Sequence, residues 1–121
     1  MVDITPLMAA DQKMIQSYAG GQFKVSGQLY SGAILVRPKD VALWANPAIG
    51  VRDPQIEALL GAIDVLLIGA GAQFSVLPPS KRAVYLDLGF SVDVMDTPAA
   101  CRTFNVLNAE GRRVAAALMP V

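Results

Sequence analysis

The sequence predicts an α/β domain with an antiparallel β unit in its N-terminal half, and three observations carry that expectation. Short extended runs separated by turn residues fill the stretch from Phe23 to Trp44. From Asp53 to Met119, helical signals and apolar strands alternate at the lengths of βα units. The chain is also oily enough to bury several elements on two sides: 54% of its 121 residues are hydrophobic, 17% are charged, and the mean hydropathy is +0.44. Such a composition excludes intrinsic disorder. No linker, low-complexity tract or fixed-period repeat marks a boundary, so residues 1–121 are expected to form one domain.

Residues 1–20 are a segment of uncertain order. Thr5-Pro6 can cap a helix through Met8, Ala9 and Met14 that stops at Gly20-Gly21. Phe23-Lys24-Val25, a turn at Ser26-Gly27, and the run Gln28 to Val36 read as a β-hairpin. Pro38 and Lys39-Asp40 make a second turn before the strand Val41 to Trp44, which Asn46-Pro47 closes.

Asp53 before Pro54 predicts a capped short helix whose apolar face is Ile56, Leu59 and Leu60. The unbroken apolar run Asp64 to Ile68 suits a strand covered on both faces, central in the sheet. After Gly69-Ala70-Gly71-Ala72 and the run Phe74 to Leu77, Pro78-Pro79-Ser80 opens a second helix through Tyr85 and Leu88 to Gly89. Ser91 to Met95 is the next strand. Asp96-Thr97-Pro98 repeats the capping pattern, opening a helix that passes Phe104 and Leu107 and stops at Gly111. Val114 to Met119 is the last strand.

The composition also excludes chemistries. The chain has no histidine, which removes Ser-His-Asp and Cys-His catalysis, His-bearing zinc sites and two-His facial triads. One cysteine, Cys101, forms no internal disulfide, CxxC pair or four-cysteine site, so a reducing compartment is expected. Ten basic residues cancel ten acidic ones, and no field draws in nucleic acid or an anionic membrane. Residues 1–21 lack a signal-peptide pattern. No stretch reaches the ~18 apolar residues of a membrane span, the run Val65 to Ala72 being interrupted upstream by Asp64. The expected location is cytoplasmic.

Several blocks resemble a known family. Gly20-Gly21-Gln22-Phe23, Gly32-Ala33-Ile34-Leu35-Val36, Leu67-Ile68-Gly69-Ala70-Gly71, Val94-Met95-Asp96-Thr97 and Ala100-Cys101-Arg102-Thr103-Phe104-Asn105-Val106-Leu107 are similar to the family of mitochondrial respiratory complex I assembly factor 3. That family also takes in adipogenesis-associated proteins and small prokaryotic relatives. The resemblance runs from about Met14 to the C-terminus. It implies a three-layer α/β domain with a mixed central sheet, one strand antiparallel to the rest, plus the small N-terminal β unit. It further implies a protein partner, because the mitochondrial members assist assembly of the NADH dehydrogenase complex by protein contact. No catalytic residues or cofactors come with the resemblance, and residues 1–21 are expected not to be a transit peptide of the kind the mitochondrial members carry.

Two places can carry chemistry. Gly69-Ala70-Gly71-Ala72 at a strand's carboxyl end can let backbone amides approach an anion, or simply let the chain turn sharply. Asp96, Thr97, Cys101 and Arg102 gather at a helix start, where free amides, about half a positive charge and a guanidinium favour an anion. The alternative is that Asp96 and Thr97 cap, Arg102 pairs with a carboxylate and Cys101 packs as a small apolar side chain. Asn105 either binds ligand or backbone. Gly69, Gly71, Asp96, Thr97, Cys101, Arg102 and Asn105 therefore form a candidate ligand or anion pocket. The carboxylates Asp64, Asp87, Asp93 and Glu110 are scattered, with no spacing for paired acid/base work. Trp44, Leu43, Ile49 and Val51 mark either core or a partner surface.

The lead expectation is a noncatalytic protein-interaction or assembly-type domain, with a homodimer as one arrangement. The competing one is a small-molecule or anion-binding protein or enzyme using Gly69 to Ala72 and the helix start Asp96 to Arg102.

Overall fold

Two-residue turns with positive φ generate the first sheet. Gly20 and Gly21 (φ 62° and 78°) join strand β1 (Ile15–Ala19) to β2 (Gln22–Val25), and Ser26 and Gly27 (φ 46° and 86°) join β2 to β3 (Gln28–Ser31). Both turns have the left-handed conformation at both central residues, whose twist matches that of antiparallel strands. The result is an antiparallel sheet in the order β1-β2-β3. The structure, a computed structural model, describes residues 11–73 and 76–121. Of the helix expected through Met14, residues 5–10 lie outside the described part. The portion that is described belongs to the approach to β1, so Gly20-Gly21 is a hairpin turn and not a helix stop.

The run Gln28 to Val36 is not one strand. Gly32 (φ 82°) turns the chain after β3, its N–H donating to Gly21 O at 2.9 Å, and Ile34–Val36 enters a second sheet as β4. This sheet has the order β5-β4-β8-β6-β7, with β5 Val41–Leu43, β6 Val65–Gly69, β7 Ser91–Met95 and β8 Val114–Leu118. Strand β4 is antiparallel to both β5 and β8, whereas β8, β6 and β7 run parallel. One strand thus opposes the other four in a mixed sheet.

Helix α1 (Pro54–Glu57) is capped by Asp53, which accepts from Gln55 N at 2.9 Å. The second helix is shorter than the sequence suggests. Helix α2 spans only Pro79–Arg82, followed by a 3-10 turn at Ala83–Tyr85 in which Leu86 N donates to Ala83 O. Helix α3 (Thr97–Ala109) is the long one.

Alternation along the central strands splits the core into two layers. Leu67, Val114, Ala116 and Leu118 face α3 and the three-stranded sheet, where Phe23, Ile34, Ala100 and Phe104 close the packing. Leu66, Ile68, Ala115 and Ala117 face the other way, against Trp44, Ile56, Leu59, Ile63 and Tyr85. Every residue of β8 is buried, as expected for a strand with neighbours on both edges and elements on both faces. These small alanines let the two flanking layers approach the sheet closely.

Candidate functional site

The carboxyl end of β6 and the start of α3 meet through backbone and hydroxyl bonds. Asp96 is the N-cap, its Oδ1 accepting from Ala99 N at 2.8 Å. Thr97 is not a cap. Its buried Oγ1 accepts from Gly71 N at 2.9 Å and donates to Met119 O at 2.7 Å, while Thr97 N donates to Gly71 O at 2.8 Å. One side chain thereby ties the glycine loop, the helix start and the end of β8 together. Gly69 is required for this approach, since a Cβ there would stand 2.8 Å from Thr97 Oγ1 and 3.0 Å from Thr97 Cα.

The structure thus gathers Gly69, Gly71, Asp96 and Thr97, and the amides that made the place attractive for an anion bond inside the protein. Ala70 N donates to Met95 O, Met119 N to Gly69 O, and Ala100 N to Asp96 O. With Gly71, Thr97 and Ala99 these make six donors already engaged, and Pro98 has none.

Cys101, Arg102 and Asn105 serve a different junction. Cys101 is buried in the first core layer, and burial pushes its thiol up to about 12, outweighing the opposing pull of Arg102. A thiol so held is inert at neutral pH. Arg102 is exposed and donates from Nη1 to Tyr18 OH at 3.3 Å, so the carboxylate partner considered from sequence is replaced by a phenol. Asn105 clasps β1: its Oδ1 accepts from Ile15 N and its Nδ2 donates to Ile15 O, both at 2.8 Å. One turn on, the fully buried Asn108 donates to Lys13 O at 3.0 Å. The polar face of α3 is therefore a clamp on β1, the opening strand of the first hairpin, and on the residues leading into it.

Three features were not apparent from the sequence. Trp44 Nε1 donates to Asp53 Oδ2 at 2.7 Å, both residues being buried, so Asp53 caps α1 and anchors the chain's one tryptophan at once. Of the residues grouped with Trp44, Leu43 and Val51 are exposed and Ile49 is half-buried against the second core layer. Gly50 N donates to Tyr85 OH at 2.6 Å, while burial raises the phenol's pKa. A groove of ≈ 460 Å³ opens along β7, between Ser91–Val94 and the segment carrying Arg82, Tyr85, Leu86 and Phe90. Sequence reasoning looked to strand ends. The groove instead follows a sheet edge, and which strand lies at an edge is not written in local pattern.

Among the described residues, no cluster of three or more His, Cys, Asp or Glu is placed to hold a metal, and no helix is long and apolar enough to cross a membrane. Asp64 pairs with Arg113 at 3.0 Å on the surface, the guanidinium holding its carboxyl below the usual range.

Comparison with known proteins places this architecture. The chain is 36% identical to an uncharacterised protein of Rhodobacter capsulatus over 108 residues, a match covering 88% of this chain and 84% of the relative. It is 34% identical over 123 residues to the zebrafish (Danio rerio) NADH dehydrogenase [ubiquinone] 1 alpha subcomplex assembly factor 3, covering 98% of this chain and 71% of that protein. The solution structure of a Bordetella pertussis protein described as an Mth938-like domain superposes with a TM-score of 0.72 at 29% identity, covering 98% and 92% of the two chains. The family model described as protein of unknown function (DUF498/DUF598) matches residues 15–119. With its antiparallel three-stranded sheet set against a mixed five-stranded one, the chain is an Mth938-like α/β protein and belongs to the DUF498/DUF598 family.

Proposed function

We propose that this protein is a noncatalytic contact domain that assists assembly of a multisubunit complex, with the NADH dehydrogenase complex as its client. The observation that carries this reading is the similarity to assembly factor 3, which runs through 98% of the chain and through both sheets. The geometry supports it. The polar side chains of α3 are spent on holding the fold, Cys101 is buried, and the described carboxylates with resolved ion pairs sit on the surface. An anion-binding role for Gly69 to Ala72 and Asp96 to Arg102 is the weaker reading, because it requires amides that bond within the protein.

The test is genetic and biochemical together. Deleting the gene in the native cell should lower NADH:ubiquinone oxidoreductase activity and leave partial assemblies of the complex, and the tagged chain should crosslink to subunits of those assemblies. A deletion strain with a normal level of intact complex would overturn the proposal.

A further inference from the structure

Strand β7 has one neighbour. It pairs only with β6, and among the described residues no strand covers its outer edge. The parallel register determines which backbone groups lie there. Ser91 N donates to Asp64 O at 3.0 Å and Met95 O accepts from Ala70 N at 2.8 Å, so the backbones of Ser91, Asp93 and Met95 turn toward β6. Backbone groups in a strand alternate sides, so the N–H and C=O of Val92 and Val94 point outward. Native sheets usually cover, bend or charge such an edge, because it is a template for another strand.

The surroundings of this edge are built for an occupant. The ≈ 460 Å³ groove runs alongside, floored by Val92 and Val94 and walled by Tyr85 and the strongly exposed Leu86. Asp93, itself among the residues lining the groove, stands exposed between the two valines, without an ion pair among the described residues. We infer that the β7 edge is a docking site for an extended segment of another protein, added antiparallel, with an apolar-basic-apolar core centred on Asp93. The pairing geometry dictates that pattern. Val92 and Val94 would each form a hydrogen-bonded pair with the added strand, leaving Asp93 at the closer non-hydrogen-bonded position between them. A lysine or arginine opposite Asp93 neutralises it, and the flanking apolar residues turn toward the groove.

Charge also argues against a second copy as the occupant. Pairing two β7 strands over their full length sets Asp93 directly opposite its symmetry mate in the close pair, where like charges repel. Shifted registers avoid that clash at the cost of outward-facing bonds.

This inference rests on the protein-contact reading and is tested separately from it. Isotope-labelled full-length chain is titrated with a capped heptapeptide carrying a Val-Lys-Val core, and with its Val-Glu-Val counterpart. The lysine peptide should shift the Val92 and Val94 amide resonances and, at ~10 times its Kd, slow their hydrogen exchange about tenfold. The glutamate peptide should bind about fivefold more weakly, and Asp93→Lys should reverse that preference. Asp93 is exposed, so the variant is expected to fold, and unchanged resonances elsewhere verify it. Absence of any shift at β7 with millimolar peptide, or an Asp93→Lys preference identical to wild type, overturns the proposal. So does slow exchange of Val92 and Val94 in the free chain, whether at monomer or dimer mass, because the edge is then already covered. If the tagged chain still crosslinks to complex subunits while the titration fails, the assembly reading stands and this surface is wrong.

Discussion

Replacing Thr97 by valine separates a cap from a knot. Valine keeps the shape of threonine and leaves no cavity, so the change isolates the hydroxyl. In the structure that hydroxyl accepts from Gly71 N at 2.9 Å and donates to Met119 O at 2.7 Å. Removing it strands one donor and one acceptor, each worth about 1.5 kcal/mol when half-buried. The added methyl returns about 0.8 kcal/mol through burial, for a net loss of about 2 kcal/mol. Trp44 is the chain's one tryptophan and is buried, so its fluorescence reports unfolding directly. With a urea slope of about 1.5 kcal/mol per molar, the midpoint should fall by about 1.3 M. The comparison is Asp96→Ala, which removes the observed cap and should cost about 1 kcal/mol, or roughly half that midpoint shift. If Thr97→Val shifts the midpoint no more than Asp96→Ala does, the hydroxyl does not tie the three segments together and the account of this junction fails.

The clasp on β1 gives a second prediction: Asn105→Ala should destabilise by about 2 kcal/mol and speed exchange of the Ile15 amide, because both backbone groups of Ile15 lose their partner. Arg102→Ala, by contrast, removes one exposed contact at 3.3 Å and should move the urea midpoint by less than the equivalent of about 0.5 kcal/mol. The buried thiol gives a pH signature. Its folded pKa of about 12 lies above the free value near 8.5, so the unfolded chain sheds the proton first. Stability is therefore unaffected by Cys101 below about pH 8.5 and falls as pH rises above that, by up to about 1.4 kcal/mol per pH unit. Denaturation series at pH 8 and pH 10 on wild type and Cys101→Ala measure the difference, and a pH response identical in both chains refutes it. Native Cys101 should likewise resist alkylation at pH 8 until the chain is unfolded.

What the sequence reveals and what it conceals divide along the reach of the interaction. Asp53-Pro54 and Asp96-Thr97-Pro98 announce helix starts because a cap is a contact between residues two or three apart. Ser91 to Met95 is legible as a strand from its own alternation, and its observed span matches. Gly20-Gly21 is ambiguous, since the same pair ends a helix or forms a hairpin turn, and only the partner strand β2 decides. Gly32-Ala33 is harder still. No charged or proline residue punctuates the run Gln28 to Val36, yet the chain changes sheets there.

The candidate site shows the same division from the side of function. A glycine loop after a strand and a capped helix start each advertise amides in the sequence, and each is a sound local inference. Whether those amides remain available depends on whether the two segments face each other. Here they do, and Thr97 and Gly71 satisfy one another at 2.8 and 2.9 Å. Among the backbone groups left without a strand partner are those of Val92 and Val94, in a strand whose sequence is unremarkable, because the strand order leaves β7 at one end of its sheet. A backbone donor becomes a binding group through what fails to pair with it, which is a property of topology. The proposed docking edge accordingly lies away from the segment with the most suggestive residues, on a strand with a single neighbour.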